Sequence, residues 1–131
     1  MKYLLDTNVW LWSLFDPERI PRKARETIGD KAHEIFLSAV TSWEISIKAA
    51  AGKLTLPEAP TSYIPRRMTE QGLRPLPVSH PHALAVCSLP DLHRDPFDRL
   101  LVAQAILENM ILATADRIVE KYPVEILWAG R

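Results

Sequence analysis

The sequence has only one cysteine, no excess of charge of either sign and no long apolar run. A single cysteine, Cys87, excludes a disulfide within these 131 residues, and its place in the apolar segment 83–87 predicts a buried, unreactive thiol. Lysine plus arginine and aspartate plus glutamate number 16 each, so a nucleic-acid partner would need local basic patches. No run reaches about 18 apolar residues and the start lacks the features of a signal peptide, so we expect a cytoplasmic protein without membrane spans.

The composition is that of an ordinary globular protein, with 47% apolar and 24% charged residues. A chain of this length can bury one sizeable core, and neither an internal repeat nor a low-complexity linker divides it. We therefore predict a single domain over residues 1–131.

Short apolar strands alternate with helical segments along the chain. We predict strands at 2–6, 33–38, 73–77, 111–114 and 124–128, and helices at about 8–15, 21–30, 39–51, 62–71, 82–87, 96–109 and 116–122. Gly52 is placed to end the third helix, Pro65 is expected in the first turn of the fourth, and the prolines of 73–77 favour an edge strand. This alternation favours an α/β fold with a central parallel sheet and helices on both faces.

Four acidic residues are predicted to lie near one edge of this sheet. Asp6 ends the first strand, and Asp116 follows the fourth strand by two residues. Glu44 lies in the first turns of the helix after the second strand, and Asp98 lies in the first turn of the helix before the fourth strand. The position of Asp98 is the least direct, since its helix could begin at either edge. Sites in open parallel sheets form beyond the carboxyl ends of the strands, so these side chains are candidates for one shared site.

Four converging carboxylates need either protons or a cation. At about 4 Å, two like charges repel by roughly 4 kcal/mol at an effective dielectric constant near 20. Oxygen ligands without cysteine or clustered histidine favour Mg²⁺ or Mn²⁺, which can activate a water and stabilise charge on a phosphate. The alternative is that each acid acts alone, as a helix cap or, for Glu44, as the i,i+4 partner of Lys48.

Four segments of the chain resemble the PIN domain, and more narrowly the VapC-type ribonuclease toxins of bacterial toxin–antitoxin pairs. They are LLDTNVW (4–10), SAVTSWEI (38–45), HRDPFDRLLVAQA (93–105) and LATADR (112–117). They follow one another in the family's order and at its spacing over nearly the whole chain, which makes them specific together.

The resemblance implies a three-layer α/β/α fold and a Mg²⁺- or Mn²⁺-dependent endoribonuclease. Matched residue by residue, it implies catalytic and metal-binding roles for Asp6, Glu44, Asp98 and Asp116, and it places Asn8, Asp95 and Thr114 next to them. It also implies an RNA substrate, a homodimer and inhibition by a cognate VapB-type antitoxin.

Basic residues near these segments suggest how RNA would approach. Arg94, Arg99 and Arg117 lie near the proposed site, where the last two would offset carboxylate repulsion or meet an antitoxin carboxylate. A path for the RNA backbone could extend over Arg66, Arg67 and Arg74, with surface ion pairs as the alternative.

Histidines and the first helix leave further alternatives. His93 is expected to touch the site loop, whereas Pro81 makes a metal pair of His80 and His82 improbable and favours packing. The helix at 8–15 is apolar nearly all round, which favours contact with a second copy or a partner over complete burial in the monomer.

Two rival functions share the same sheet. A Mg²⁺-dependent phosphatase would usually carry a second acid two residues after Asp6, where this chain has Asn8. A non-catalytic RNA-binding module would keep the pocket without turnover.

Overall fold

One five-stranded sheet organises the structure, a computed structural model that describes all of residues 1–131. All neighbouring strands are parallel, in the order β3-β2-β1-β4-β5. The strands are β1 (Lys2–Leu5), β2 (Glu34–Ser38), β3 (Arg74–Leu76), β4 (Ile111–Thr114) and β5 (Ile126–Trp128). The predicted parallel α/β class and the edge position of the proline-containing strand are confirmed.

Six α-helices connect and cover these strands. They are α1 (Thr7–Phe15), α2 (Arg22–Gly29), α3 (Ala39–Ala50), α4 (Pro60–Gln71), α5 (His80–Ala85) and α6 (Pro96–Leu107). Short 3₁₀ turns follow at Pro17–Arg19, Val86–Ser88 and Val119–Lys121. No helix combines the length and apolar character needed to cross a membrane.

The alternation of side chains along β1 creates two cores. Tyr3 and Leu5 pack into one core together with Trp10 of α1, whereas Leu4 packs into another with Leu101 of α6. Successive side chains of a strand point to opposite faces, so the two cores lie on opposite sides of the sheet. The result is the three-layer α/β/α arrangement, with β1 buried on both faces.

The junctions that end β1 and β2 also begin helices. Asp6 follows β1 and caps α1, while Ser38 ends β2 and caps α3 by accepting the N–H of Val40 at 3.0 Å. In the sheet, β2 lies on one side of β1 and β4 on the other, so the order of the strands reverses direction at β1. A crevice therefore opens beyond the carboxyl ends of β1 and β4, which is the usual place for a site in such sheets.

Two of the predicted helices differ from expectation. Gly52, with φ +72°, follows the end of α3 as predicted, but α4 begins at Pro60, so Pro65 lies inside the helix and not in its first turn. The helix tolerates the missing N–H because Pro65 lies on the exposed face, where water can reach the unpaired carbonyl group. The helix predicted at 116–122 is also wrong, since this segment forms only a 3₁₀ turn.

Cys87 is exposed, so the prediction of a buried thiol is wrong. The apolar segment before it belongs to a short surface helix, α5, in which Leu84 keeps 68% of its surface exposed. The chain then turns through Val86–Ser88 and places the thiol on the outside.

Candidate active site

Asp6 lies buried at the junction of β1 and α1, with 5% of its surface exposed. Its Oδ1 accepts hydrogen bonds from the backbone N–H groups of Asn8 (2.8 Å) and Val9 (3.2 Å). Its Oδ2 accepts a 2.6 Å hydrogen bond from the hydroxyl of Thr114. Burial raises the pKa of Asp6, and these hydrogen bonds to the carboxylate oppose the shift.

Thr114 connects Asp6 to the acid that follows β4. Its buried hydroxyl donates to Asp6 and accepts the backbone N–H of Asp116 at 3.1 Å. Asp116 closes the next turn by accepting the N–H of Ile118 at 2.8 Å. Asp6, Asn8 and Asp116 line one open cavity of about 300 Å³.

His93 lies between the third and fourth acids. Its Nε2 is 3.0 Å from Oδ2 of Asp116 and 3.2 Å from Oδ2 of Asp98. Because its Nδ1 accepts the backbone N–H of Asp95 at 3.1 Å, Nε2 is the nitrogen that carries the proton. Burial raises the pKa of Asp116, but the hydrogen bonds from His93 and the following turn outweigh this and hold it below its ordinary value. One ligand atom from each of His93, Asp98 and Asp116 lies within 4.8 Å of the others.

The carboxyl group of Asp98 is strongly perturbed by its surroundings. Its pKa is raised to about 7, chiefly by burial and further by the charges of Asp6, Asp95 and Glu44, while His93 opposes the shift. These charges come from β1, α3 and the start of α6, so the acids converge on one region.

Asp95 caps α6 and thereby positions Asp98. Its Oδ1 accepts the N–H of Phe97 at 2.8 Å and that of Asp98 at 3.4 Å. Asp95 also has Pro96 directly after it, at the helical position where a missing N–H costs nothing. The first turn of α6 therefore begins at the site itself, at the same edge as the ends of β1 and β4.

Glu44 has one paired and one unpaired oxygen. Its Oε2 forms a 2.6 Å ion pair with Nζ of Lys48, which confirms the i,i+4 pair that the sequence offered as an alternative. Its Oε1 is buried without a hydrogen-bond partner, a state that costs about 1–3 kcal/mol for a polar group. The hydrogen bond that Lys48 donates to Glu44 raises the pKa of Lys48, and the charges of Asp95 and Asp98 contribute, so this ammonium group belongs to the acidic cluster.

The predicted site residues all lie at this edge of the sheet. The four acids converge there; Thr114 contacts Asp6, and Asp95 caps the helix of Asp98. Asn8 provides a backbone N–H to Asp6 and lines the cavity. Their roles in catalysis and metal binding stay predictions.

Arg99 does not face the acidic site as the sequence suggested, because its guanidinium group is occupied by other contacts. Arg99 donates to the carbonyl oxygens of Val86 (3.2 Å) and Pro90 (2.9 Å) and to the hydroxyl of Tyr122 (3.1 Å). It therefore holds the loop before α6 and does not offset the carboxylates. The hydroxyl of Tyr122 also accepts the backbone N–H of His93 at 2.8 Å, so this buried tyrosine fixes the site loop.

On α4, surface ion pairs are the alternative that the structure bears out. Arg66 pairs with Glu58 at 2.8 Å and Glu70 at 2.9 Å, and Arg67 lies 3.5 Å from Glu70. These two arginines share two glutamates, so the four side chains together carry no net positive charge for an RNA backbone.

Sequence reasoning gave too little weight to His93 and missed Tyr122. A usable signal for His93 was its place two residues before the capping Asp95, where its ring can accept a backbone N–H. Tyr122 gave no local signal, because it acts on a loop 29 residues earlier in the chain.

Comparison with known proteins gives a consistent picture. The sequence profile of the PIN domain matches residues 3–125. The chain is similar to Ribonuclease VapC16 of Mycobacterium tuberculosis (strain ATCC 25618 / H37Rv), with 41% identity over 73 residues. That match spans 50% of this chain and about half, 52%, of the relative. Ribonuclease VapC22 of the same organism is 28% identical over 115 residues, which are 87% of this chain and 86% of that protein.

Among solved structures, the chain is similar to the crystal structure of VapBC2 from Rickettsia felis bound to a DNA fragment from their promoter. The TM-score is 0.73 at 20% identity, over 98% of this chain and 99% of that chain. At this level of identity the likeness concerns the fold, and it agrees with the three-layer arrangement described above.

Proposed function

The chain belongs to the PIN domain family, and from this premise and the geometry of its acidic site we propose that it is a Mg²⁺- or Mn²⁺-dependent endoribonuclease. The similarity to two proteins named as ribonucleases supports hydrolysis of RNA phosphodiester bonds. The proposed catalytic residues are Asp6, Glu44, Asp98 and Asp116.

The observation that carries this proposal is the excess of negative charge at the cluster. The buried Oε1 of Glu44 has no partner, and the pKa of Asp98 is raised to about 7 by burial and by neighbouring carboxylates. A divalent cation would remove both penalties, since it would give the unpaired oxygen a partner and neutralise the repulsion. The donors are carboxylate oxygens, which suit Mg²⁺ or Mn²⁺.

The residues of this chain fit such an ion. Asp6, Asp98 and Asp116 would hold it, and Glu44 would bind it directly or through water. When bound, the ion would activate a water for in-line attack and stabilise the charge that develops on the phosphate.

Neighbouring side chains keep these carboxylates in place. The Thr114 hydroxyl fixes the orientation of Asp6 through Oδ2, and Lys48 holds Oε2 of Glu44 so that Oε1 stays free. The Nε2–H of His93 donates to Asp116 at 3.0 Å, and Oδ2 of Asp98 lies 3.2 Å from the same nitrogen. Such support costs little reorganisation when substrate arrives, because the hydrogen bonds already exist.

An Asp6→Asn variant tests the proposal directly. We expect RNA cleavage in Mg²⁺ to fall by more than about 100-fold, because the substitution removes a charged ligand and keeps the shape of the side chain. Asp16→Asn is the matched control, since it removes the same charge from an exposed residue at the end of α1. Wild-type turnover by the Asp6 variant would contradict the assignment.

The same assay separates the rival functions. Cleavage of RNA that chelator abolishes supports the nuclease. Hydrolysis of p-nitrophenyl phosphate without RNA cleavage would indicate a phosphatase, and RNA binding without any turnover would indicate a non-catalytic module.

We also infer that the protein is the toxin of a toxin–antitoxin pair, forms a homodimer and is inhibited by a VapB-type antitoxin. The similar Rickettsia felis structure is described as VapBC2, which supports such a partner. Exposed apolar side chains offer surfaces for both contacts: Phe15 on α1 is 49% exposed, and Trp43 and Ile47 on α3 are 58% and 44% exposed. Within α1, Trp10 is buried in the core whereas Phe15 is exposed, so the core covers only part of that helix.

Light scattering of the protein alone and co-expressed with its antitoxin tests these contacts. We expect a dimer alone and a larger complex without RNA cleavage in the presence of antitoxin. A monomer that stays active beside the antitoxin would contradict both. The cytoplasmic location expected from the sequence stays a prediction.

A further inference from the structure

Next to the acidic cavity lies a second cavity of about 330 Å³ with arginine and tryptophan side chains in its walls. Its walls include Trp12, Arg19, Arg117 and Trp128, which we call the Arg–Trp cleft. The guanidinium carbon of Arg117 lies 3.8 Å from the ring centroid of Trp128, and that of Arg19 lies 4.6 Å from the ring of Trp12. Two guanidinium groups of the cleft are therefore stacked on indoles, and a third, that of Arg131, donates from Nε to the carbonyl oxygen of Glu18 at 2.8 Å.

The Arg–Trp cleft lies directly beside the acidic cavity. Trp12 and Ala115 line both cavities. Arg117 directly follows Asp116 in the chain. A polymer bound at the acids would therefore enter the cleft with its adjacent unit.

Positive charge in this cleft is available for a ligand. Arg19 forms no ion pair in the structure, and its side chain is exposed. Arg117 pairs only with Glu120, at 3.1 Å, while 68% of its side chain stays exposed, and such exposed pairs contribute little. This contrasts with Arg66 on α4, which contacts two glutamates.

The wall formed by Trp128 is held in place by the backbone. A Cβ atom added at Gly130 would lie 3.0 Å from Cβ of Ala115 and 3.0 Å from Cζ2 of Trp128. The indole of Trp128 therefore packs closely against Gly130, where a side chain would have to displace it.

We propose that the Arg–Trp cleft binds the nucleotide adjacent to the scissile phosphate of single-stranded RNA, an inference that rests on the proposed nuclease function. Arginine pairs with phosphate oxygens, and bases stack on indole and guanidinium planes. Only an unpaired strand exposes the base faces that such stacking needs. An acidic peptide would use the arginines but has no need of the stacked aromatic planes, so RNA is the occupant that fits both features.

Binding in the presence of EDTA tests the cleft separately from catalysis. Fluorescence anisotropy with a labelled single-stranded RNA compares the wild type with Arg19→Gln/Arg117→Gln. We expect about tenfold weaker binding, and a salt dependence shallower by about 1.4, since each phosphate contact on a single strand contributes about 0.7 to the slope. The matched control is Arg66→Gln/Arg67→Gln, which removes the same charge, and there we expect a change below about twofold.

A second arm distinguishes base stacking from charge alone. Polyphosphate and a poly-glutamate peptide carry negative charge without bases, so we expect the wild type to bind RNA at least about tenfold more tightly than either. This preference should disappear in Trp128→Leu, and circular dichroism would verify that the variant is folded. Binding of poly-glutamate as tightly as RNA would overturn the proposal and indicate an acidic protein partner.

The outcomes separate the cleft from the nuclease itself. Absent RNA binding by the wild type, or unchanged affinity and salt dependence in the Arg19/Arg117 variant, would overturn the cleft even if RNA is cleaved in Mg²⁺. Binding that depends on Arg19 and Arg117 without any cleavage in Mg²⁺ would support the cleft and refute the nuclease.

Discussion

His82 and His93 are held by their surroundings in the same way, yet they belong to clusters of different character. Nδ1 of each ring accepts a backbone N–H, from Ser79 at 3.0 Å and from Asp95 at 3.1 Å. Nε2 of His82 then meets one carboxylate, that of Glu108 at 2.7 Å, whereas Nε2 of His93 meets two. The two clusters lie at opposite ends of α6, since Glu108 ends the helix that Asp95 begins.

Around His82, every polar group has a partner. Gln104 is fully buried and donates to Nδ1 of His82 (3.2 Å) and to the carbonyl of Pro77 (3.1 Å), and its oxygen accepts the hydroxyl of Ser38. One histidine faces one acid. We therefore interpret this network as structural, which agrees with the packing role that the sequence favoured for His82, whereas His80 is exposed.

Around His93, negative charge exceeds the partners available. Glu44 keeps an unpaired buried oxygen, and the pKa of Asp98 rises to about 7. The comparison teaches that a histidine beside a carboxylate does not identify a site in this fold. What distinguishes the His93 cluster from the His82 cluster is its surplus of carboxylates, one of which keeps a buried oxygen without a partner.

The largest difference between the clusters should appear in activity. Glu44→Gln keeps a side chain that can accept from Lys48 but removes the charge, so we expect RNA cleavage to fall by about 100-fold or more. Glu108→Gln makes the same chemical change in the His82 cluster and should alter the rate by less than about twofold. Initial rates in Mg²⁺ measure both, and equal losses in the two variants would end the distinction.

The free energy of unfolding should depend more on the His82 cluster than on the rim of the acidic cavity. Gln104→Ala opens a cavity and leaves Ser38 and the carbonyl of Pro77 without a partner, so we expect a loss of about 2–4 kcal/mol. Urea unfolding of the metal-free protein measures this loss, and Asn8→Ala at the exposed rim of the acidic cavity is the control, with a change below about 1 kcal/mol. A near-neutral Gln104→Ala would show that the network around His82 adds little to the fold.

Removing an acid from the crowded cluster should stabilise the metal-free protein. The folded pKa of Asp98 is about 7 against 3.8 for the free side chain, so the folded state binds its proton more tightly. Stability therefore falls as the pH rises from about 4 to 7, and the penalty is complete above 7. The full shift corresponds to about 4 kcal/mol, but 19% of the side chain is exposed, so we expect Asp98→Asn to gain about 1–2 kcal/mol at pH 8.

Thermal unfolding in EDTA at pH 5 and pH 8 checks this sign. The advantage of the Asp98→Asn variant should shrink at pH 5, where the wild-type carboxyl is already protonated, and Mg²⁺ should restore the wild type at pH 8. A destabilised variant at pH 8 would mean that the carboxylates do not repel one another.

The sheet and the positions of the acids were predictable because they depend on local patterns. Apolar runs marked the buried strands, and the polar residues that end them, such as Asp6, also cap the following helices. The PIN family resemblance inferred from four segments is confirmed by the match over residues 3–125. These features depend on a few neighbouring residues, so a single sequence reveals them.

The failures involve contacts between distant residues. Cys87 follows an apolar segment that lies on the surface, and no local pattern distinguishes such a segment from a buried one. Pro65 lies inside α4 because that face of the helix meets water. The link between His93 and Asp116 spans 23 residues and depends on a loop that Tyr122 holds, so the sequence could place both residues near the site without pairing them.

The smallest predicted effect concerns metal affinity. A carboxyl group with a pKa near 7 is about one-tenth ionised at pH 6 and nine-tenths at pH 8, so Mg²⁺ or Mn²⁺ affinity should rise about tenfold over this interval. Isothermal titration calorimetry in buffers of different ionisation enthalpy measures the affinity and the proton released. His82→Gln should leave this pH dependence unchanged. The His82 cluster has one carboxylate for one histidine, so it contains no protonated acid that a cation would deprotonate. A pH-independent affinity in the wild type would mean that Asp98 is not a ligand, and the contrast between the two clusters would then rest on Glu44 alone.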